Sequence, residues 1–200
     1  LDLPPRARVA PLRVTKEEAR KALADPDPFV STEAIRVISE DPGESWPTLT
    51  DPLARAHFAV AMKRSGKKRY EAEIPALLAD STEDVAFVAI KWIADELLTE
   101  FQSPLLDQLD RPGLSRELLF AILAAEQVLA GEKPSATPTR DQLLRIFNDR
   151  SRAPSLRALA LNLLPPESLS IQRLAQLALD GEPEIQLEAV RSLQSRSGTE

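Results

Sequence analysis

Three stretches of this chain are copies of one another, and their spacing limits what the rest can fold into. Asp25–Ile38 (DPDPFVSTEAIRVI) recurs at Asp80–Ile93 (DSTEDVAFVAIKWI) and at Asp180–Leu193 (DGEPEIQLEAVRSL). Each begins with Asp, places Val or Ile five residues later and Ala nine later, and follows with Ile or Val, a base, and finally Ile or Leu. This is a turn feeding an amphipathic helix, written three times. Looser copies are anchored at Asp110 and at Asp149, where Leu156, Ala160 and Leu161 keep the apolar spacing after a two-residue insertion. The anchors lie about 30–55 residues apart, the interval of helical-pair repeats.

Composition agrees with many short helices. The 200 residues include 43% apolar side chains but only 4% aromatics, and 17 Pro against 6 Gly. Proline is poor inside a helix and good at its first turn, so its frequency fits helices that each start afresh. Thr15 with Glu18 and Thr139 with Gln142 have capping-box spacing, and Ser81 with Asp84 has it with Asp in place of Glu. Asp51-Pro52 opens and Gly66 closes a further helix. The expectation is about ten helices in five antiparallel pairs: an all-α fold, a right-handed α-α superhelix of solenoid type over residues 15–195. Residues 1–14 read as a linker or N-terminal extension and residues 196–200 as a polar tail. Ala34, Ala89, Ala160 and Ala189 should stand where helices cross closely.

Charge and residue usage narrow the chemistry. A net charge of −6 opposes a general nucleic-acid binder, which needs a basic footprint. Without Cys there is no disulfide, thiolate metal site, Cys nucleophile or C-x-x-C-H haem attachment in this stretch. No apolar run approaches the roughly 18–20 residues of a membrane span, so no membrane insertion is expected. The one His, His57, has no carboxylate or second His at ligand spacing, and its bland reading is packing or surface. Asp95, Glu96 and Glu100 read as solvated charges at a helix end. No cofactor is expected and no catalytic residue is nominated.

Three features are candidate partner-binding positions. Arg36, Lys91 and Arg191 share one register position, and on stacked helices they would line one face, interrupted where Asn162 replaces the base. Lys67, Lys68 and Arg69 form a basic cluster beside Tyr70, although a basic helix C-terminus is also what the helix dipole favours. Trp46 is the one large apolar residue of a polar loop, whereas Trp92 reads as core.

The pattern of Asp, short turn, Val and an Ala-spaced helix resembles HEAT repeats. That family often carries Arg directly after the Val, in a polar ladder between repeats; here Ser31, Ala86 and Gln186 stand there and only Arg157 keeps it. DPDPFV (25–30), IKWIADE with LTEF after it (90–101) and RALALNLLPP (157–166) are similar to the helical-repeat segment of planctomycete-type multidomain haem-binding proteins. In that family a dehydrogenase-like β-propeller precedes the repeats and a c-type cytochrome follows. The resemblance implies a segment of a larger, periplasmic or exported protein, in keeping with a start at Leu1 rather than Met, and it supplies no catalytic residue. The function expected is a non-enzymatic scaffold docking a protein partner or neighbouring domains. The alternative is an enzyme on helical repeats, of the DNA glycosylase or bilin lyase kind.

Overall fold

A computed structural model describes residues 15–43 and 47–197. The described residues are all-helical, with eleven α-helices, four short 3-10 segments and no strand. Packing divides the chain into two compact units, one ending at Ala72 and one beginning at Glu73. The expected linker over 1–14 and the residues past Ser197 lie outside the described residues.

The first unit holds α1 (Lys16–Ala22), α2 (Pro28–Glu40) and α3 (Pro52–Ser65), with α2 packed against both others. Their ends follow local chemistry. The Thr15–Glu18 capping box starts α1. Asp27 accepts from the Phe29 N–H at 2.8 Å to start α2, with Pro28 in the first turn. Asp51 accepts from the Ala54 N–H at 2.9 Å to start α3, and Gly66 ends it at φ 64°, a left-handed conformation that costs glycine little. The interior is rich in small residues: Ala54, Ala56, Ala59 and Ala61 are buried with Leu23, Ile38, Phe58 and Met62. His57 is half-buried, and its Nδ1–H donates to the Leu23 carbonyl at 2.7 Å, tying α3 to the end of α1.

The second unit is built from pairs: α4 (Ile74–Leu78) with α5 (Glu83–Asp95), α6 (Gln102–Asp107) with α7 (Arg116–Leu129), α8 (Arg140–Asn148) with α9 (Pro154–Leu163), and α10 (Ile171–Asp180) with α11 (Pro183–Ser197). Helix α5 also packs on α7, and α9 on α11. Where about ten helices are expected, the described residues hold eleven: α3, opened at Asp51-Pro52 and closed at Gly66 as expected, lies in the long interval between Asp25 and Asp80, and four pairs follow it. The capping box at Thr139–Gln142 forms, but the one expected at Ser81–Asp84 does not. Asp80 accepts from the Thr82 N–H at 2.8 Å, so the turn is closed one residue later and Thr82 becomes the cap of α5.

The repeat register is visible in burial. Ala34, Ala89, Ala160 and Ala189 are all buried, as are Ile38 and Ile93. Three positions break the pattern, Leu193 among them, half-buried where Ile38 and Ile93 are buried. Val30 is 40% exposed where its counterparts Val85 and Ile185 are buried, and Val190 is 39% exposed where Ile35 and Ile90 are buried. Helix α5 has α7 against it, whereas α11 is the last helix described.

Candidate functional site

At three of the five anchors, though not at Asp180, which ends a helix, the repeated Asp closes the turn that follows it. Asp25 accepts from the Asp27 N–H at 2.9 Å, Asp80 from the Thr82 N–H at 2.8 Å, and Asp149 from the Ser151 N–H at 3.0 Å. These are Asx turns, in which a carboxylate closes the chain onto the amide two residues on and aims it into the next helix. At Asp149 the Ser151 hydroxyl donates as well, at 2.6 Å. The Ser151 side-chain bond, then its backbone N–H, and Arg152 nearby hold the Asp149 carboxyl below the usual carboxylate range. The anchor at Asp110 works differently, as the acceptor of an ion pair from Arg152 at 2.6 Å.

Arginines tie the turns of the second unit together. Arg111 donates to the Leu78 and Asp80 carbonyls, at 3.4 and 2.5 Å. Arg152 reaches from the α8–α9 turn to Asp110. Arg157 is buried, donates through Nε to the Phe147 carbonyl at 3.1 Å, and pairs through Nη1 with Glu182 at 2.6 Å. The bonds to Leu78, Asp80, Asp110 and Glu182 each span roughly one repeat. Arg157 follows Leu156 in its own copy of the repeat, while Arg111 and Arg152 stand elsewhere in the repeat and link other turns.

The three register-related bases are held on their own helices. Arg36 pairs with Glu33 at 2.6 Å and with Glu40, Lys91 with Asp95 at 3.1 Å, and Arg191 with Glu188. The hydrogen bond that Arg36 donates to Glu33, then the charge of Glu33 and that of Glu40, raises the Arg36 pKa further above its ordinary value, and the same contact lowers that of Glu33. Asp95 is thereby engaged along its helix, at the end of α5.

The basic cluster divides. Lys67 and Lys68 are exposed. Arg69 stacks on the Tyr70 ring at 4.9 Å and donates to the Gly43 carbonyl, which also accepts from the buried Tyr70 hydroxyl at 2.5 Å. Gly43 has φ 90°, a conformation side chains rarely adopt. Beside it Lys16 pairs with Asp41, which holds the Asp41 carboxyl below its ordinary range. Arg69 is thus a clamp on the loop after α2. Trp46 lies outside the described residues; Trp92 is buried, as expected.

One groove in the second unit gathers charge that the sequence reading did not single out. It has a volume of 590 Å³, lies between the α8–α9 turn and the α10–α11 turn, and is lined by Arg150, Arg157 and Arg173. Buried Phe147 and Ile185 and half-buried Leu177 supply its apolar part. Arg150 and Arg173 escape sequence reasoning because 23 residues separate them, and only the packing of α10 brings them to one groove. Among the described residues no cluster of three or more His, Asp or Glu is placed to hold a metal ion. None of the described helices is long and apolar enough to cross a membrane. Compared with known proteins, the chain matches no family profile, no curated protein and no solved structure.

Proposed function

We propose that this chain is a HEAT-like helical-repeat scaffold, a right-handed superhelical stack that docks a protein partner or neighbouring domains of a larger multidomain protein and does no chemistry of its own. The observation that supports it is the recurrence of one turn. Asp25, Asp80 and Asp149 each close the same Asx turn, at 2.8–3.0 Å, and Arg111, Arg152 and Arg157 reach from one turn to another. Repeated turns give repeated helical pairs, and stacked pairs bury one another's apolar faces while presenting a continuous surface to partners. The conspicuous polar residues are occupied in holding this geometry, as Arg69 is at Gly43 and His57 at Leu23.

Titration calorimetry tests the reading, with the purified chain measured against the separately expressed flanking domains of its gene product and against duplex DNA at low salt. Saturable binding to a protein domain, with DNA inert, is the expected result. Tight DNA binding that weakens steeply with salt would favour the glycosylase-like alternative. Charge reversal at Arg36, Lys91 and Arg191 that leaves protein binding intact would remove that register position from the docking surface.

A further inference from the structure

The groove of the second unit is arranged for an anion, and the state of its arginines says which kind. Arg157 is compensated by Glu182 at 2.6 Å. Among the described residues the Arg173 guanidinium donates only to the neutral amide of Gln176, at 3.0 Å. Arg150 is exposed and makes no ion pair or hydrogen bond among the described residues. Asp180 also lines the groove and is likewise unpaired among them. Two open guanidiniums against one open carboxylate leave a single net positive charge. That suits a monoanionic carboxylate better than a phosphate, which brings roughly two charges, or a nucleic-acid backbone, which brings a row of them.

The walls are fixed in place. The Gly181 backbone lies so close to α10 that a Cβ there would sit 2.5 Å from the Leu177 carbonyl oxygen. Arg157 holds the end of α8 and the start of the last turn together through Phe147 and Glu182. The volume of 590 Å³ falls within the size of ordinary ligand sites, and its apolar side chains adjoin its charged ones.

We propose that this groove is a docking site for a short acidic peptide segment of a partner protein. Arg150 and Arg173 take an Asp or Glu carboxylate, and a neighbouring apolar side chain lies against Phe147, Leu177 and Ile185. The inference rests on the scaffold reading and names the chemistry of its partner. Arginine suits this task because its planar fork pairs with a carboxylate through two hydrogen bonds.

The test is a selection of random displayed heptapeptides on the intact chain, followed by fluorescence polarisation of the enriched peptides with the wild type and with Arg150→Glu/Arg173→Glu. Enriched sequences should place Asp or Glu beside an apolar residue. Their affinity should fall at least about tenfold in the variant, the loss expected for a charged hydrogen-bonded pair. Lys-substituted peptides should recover binding to that variant. Arg150→Gln/Arg173→Gln, compared by thermal melting, provides the same comparison if the reversed pair fails to fold. Failure to enrich any peptide, enrichment of peptides without an acid, or competition by inorganic phosphate or a single-stranded oligonucleotide would overturn the proposal. Acidic peptides that bind both variants as tightly as the wild type would also sink the groove while leaving the scaffold reading standing. Calorimetry against flanking domains decides that reading separately.

Discussion

Arg157 is a buried arginine of the second unit with both a backbone and a carboxylate partner. Its guanidinium is buried, bonded to a backbone carbonyl and paired with a carboxylate that is itself 48% exposed. Because water already screens Glu182, most of the stabilisation comes from satisfying the buried group and from packing its stem. Arg157→Ala should therefore cost roughly 1–3 kcal/mol, the usual range for an orphaned buried partner. Arg157→Lys should recover only part of this, since an ammonium cannot span both acceptors in the plane of a fork. Urea titrations of the three proteins check it, and equal midpoints would show the link to be idle. Asp149 supports a second prediction. Its carboxyl is held below the unfolded value, first by the Ser151 side chain. The unfolded chain therefore binds its proton first as pH falls, and the stability this group contributes is present above about pH 4 and lost below it, through its folded pKa. Ser151→Ala should raise the Asp149 pKa in an NMR titration and flatten the acid side of the stability profile. An unchanged titration would mean that the hydroxyl bond is not kept in solution.

At the scale of elements, the helix starts were legible where one residue type decides them. Thr15, Asp51, Ser115 and Thr139 accept backbone N–H bonds three residues ahead, and spacing alone reveals such contacts. Ser81 misled because two local options competed for the same turn and the Asx turn of Asp80 prevailed. Long-range contacts left no trace in local spacing: the Gly43 carbonyl meets Arg69 and Tyr70 from 26 and 27 residues away. Of the candidate binding residues, the sequence placed Arg36, Lys91 and Arg191 in one register, but it could not show that each is held by a carboxylate on its own helix. The alanine positions were readable because a helix crossing demands small side chains wherever it recurs. Ala89 is fully buried on α5, which packs against both α4 and α7. Ala89→Phe should destabilise by about 1–3 kcal/mol through overpacking, whereas Ala175→Phe, on the exposed side of α10, should be close to neutral. Thermal midpoints that move together would refute the crossing register.

On the scale of the whole molecule, the repeat suggests one run of helical pairs over residues 15–195, and by packing the chain groups into two compact units, one ending at Ala72 and one beginning at Glu73. The clue in the sequence was the longest interval between anchors, and it was hard to weigh because the boundary falls inside a 3-10 segment, Lys68–Glu73, that contains neither Gly nor Pro. The two interiors differ in kind. Six of the buried residues up to Tyr70 are alanines, Ala19, Ala34, Ala54, Ala56, Ala59 and Ala61, beside Leu23, Ile35, Ile38, Phe58, Met62 and Tyr70, whereas Ile, Leu and Trp92 dominate the second unit. Since stabilisation scales with apolar area removed from water, at about 25 cal/mol per Å², an alanine-rich interior gains less for each residue ordered. A unit of about 60 residues also buries a smaller share of its surface than a larger one. Native-state hydrogen exchange should therefore show α1–α3 opening at lower free energy than α5, α7 and α9. Adding urea should release the first set of amides while the second stays protected. If both sets instead merge onto one denaturant isotherm from the outset, the units unfold together, and their separate interiors do not give them separate stabilities.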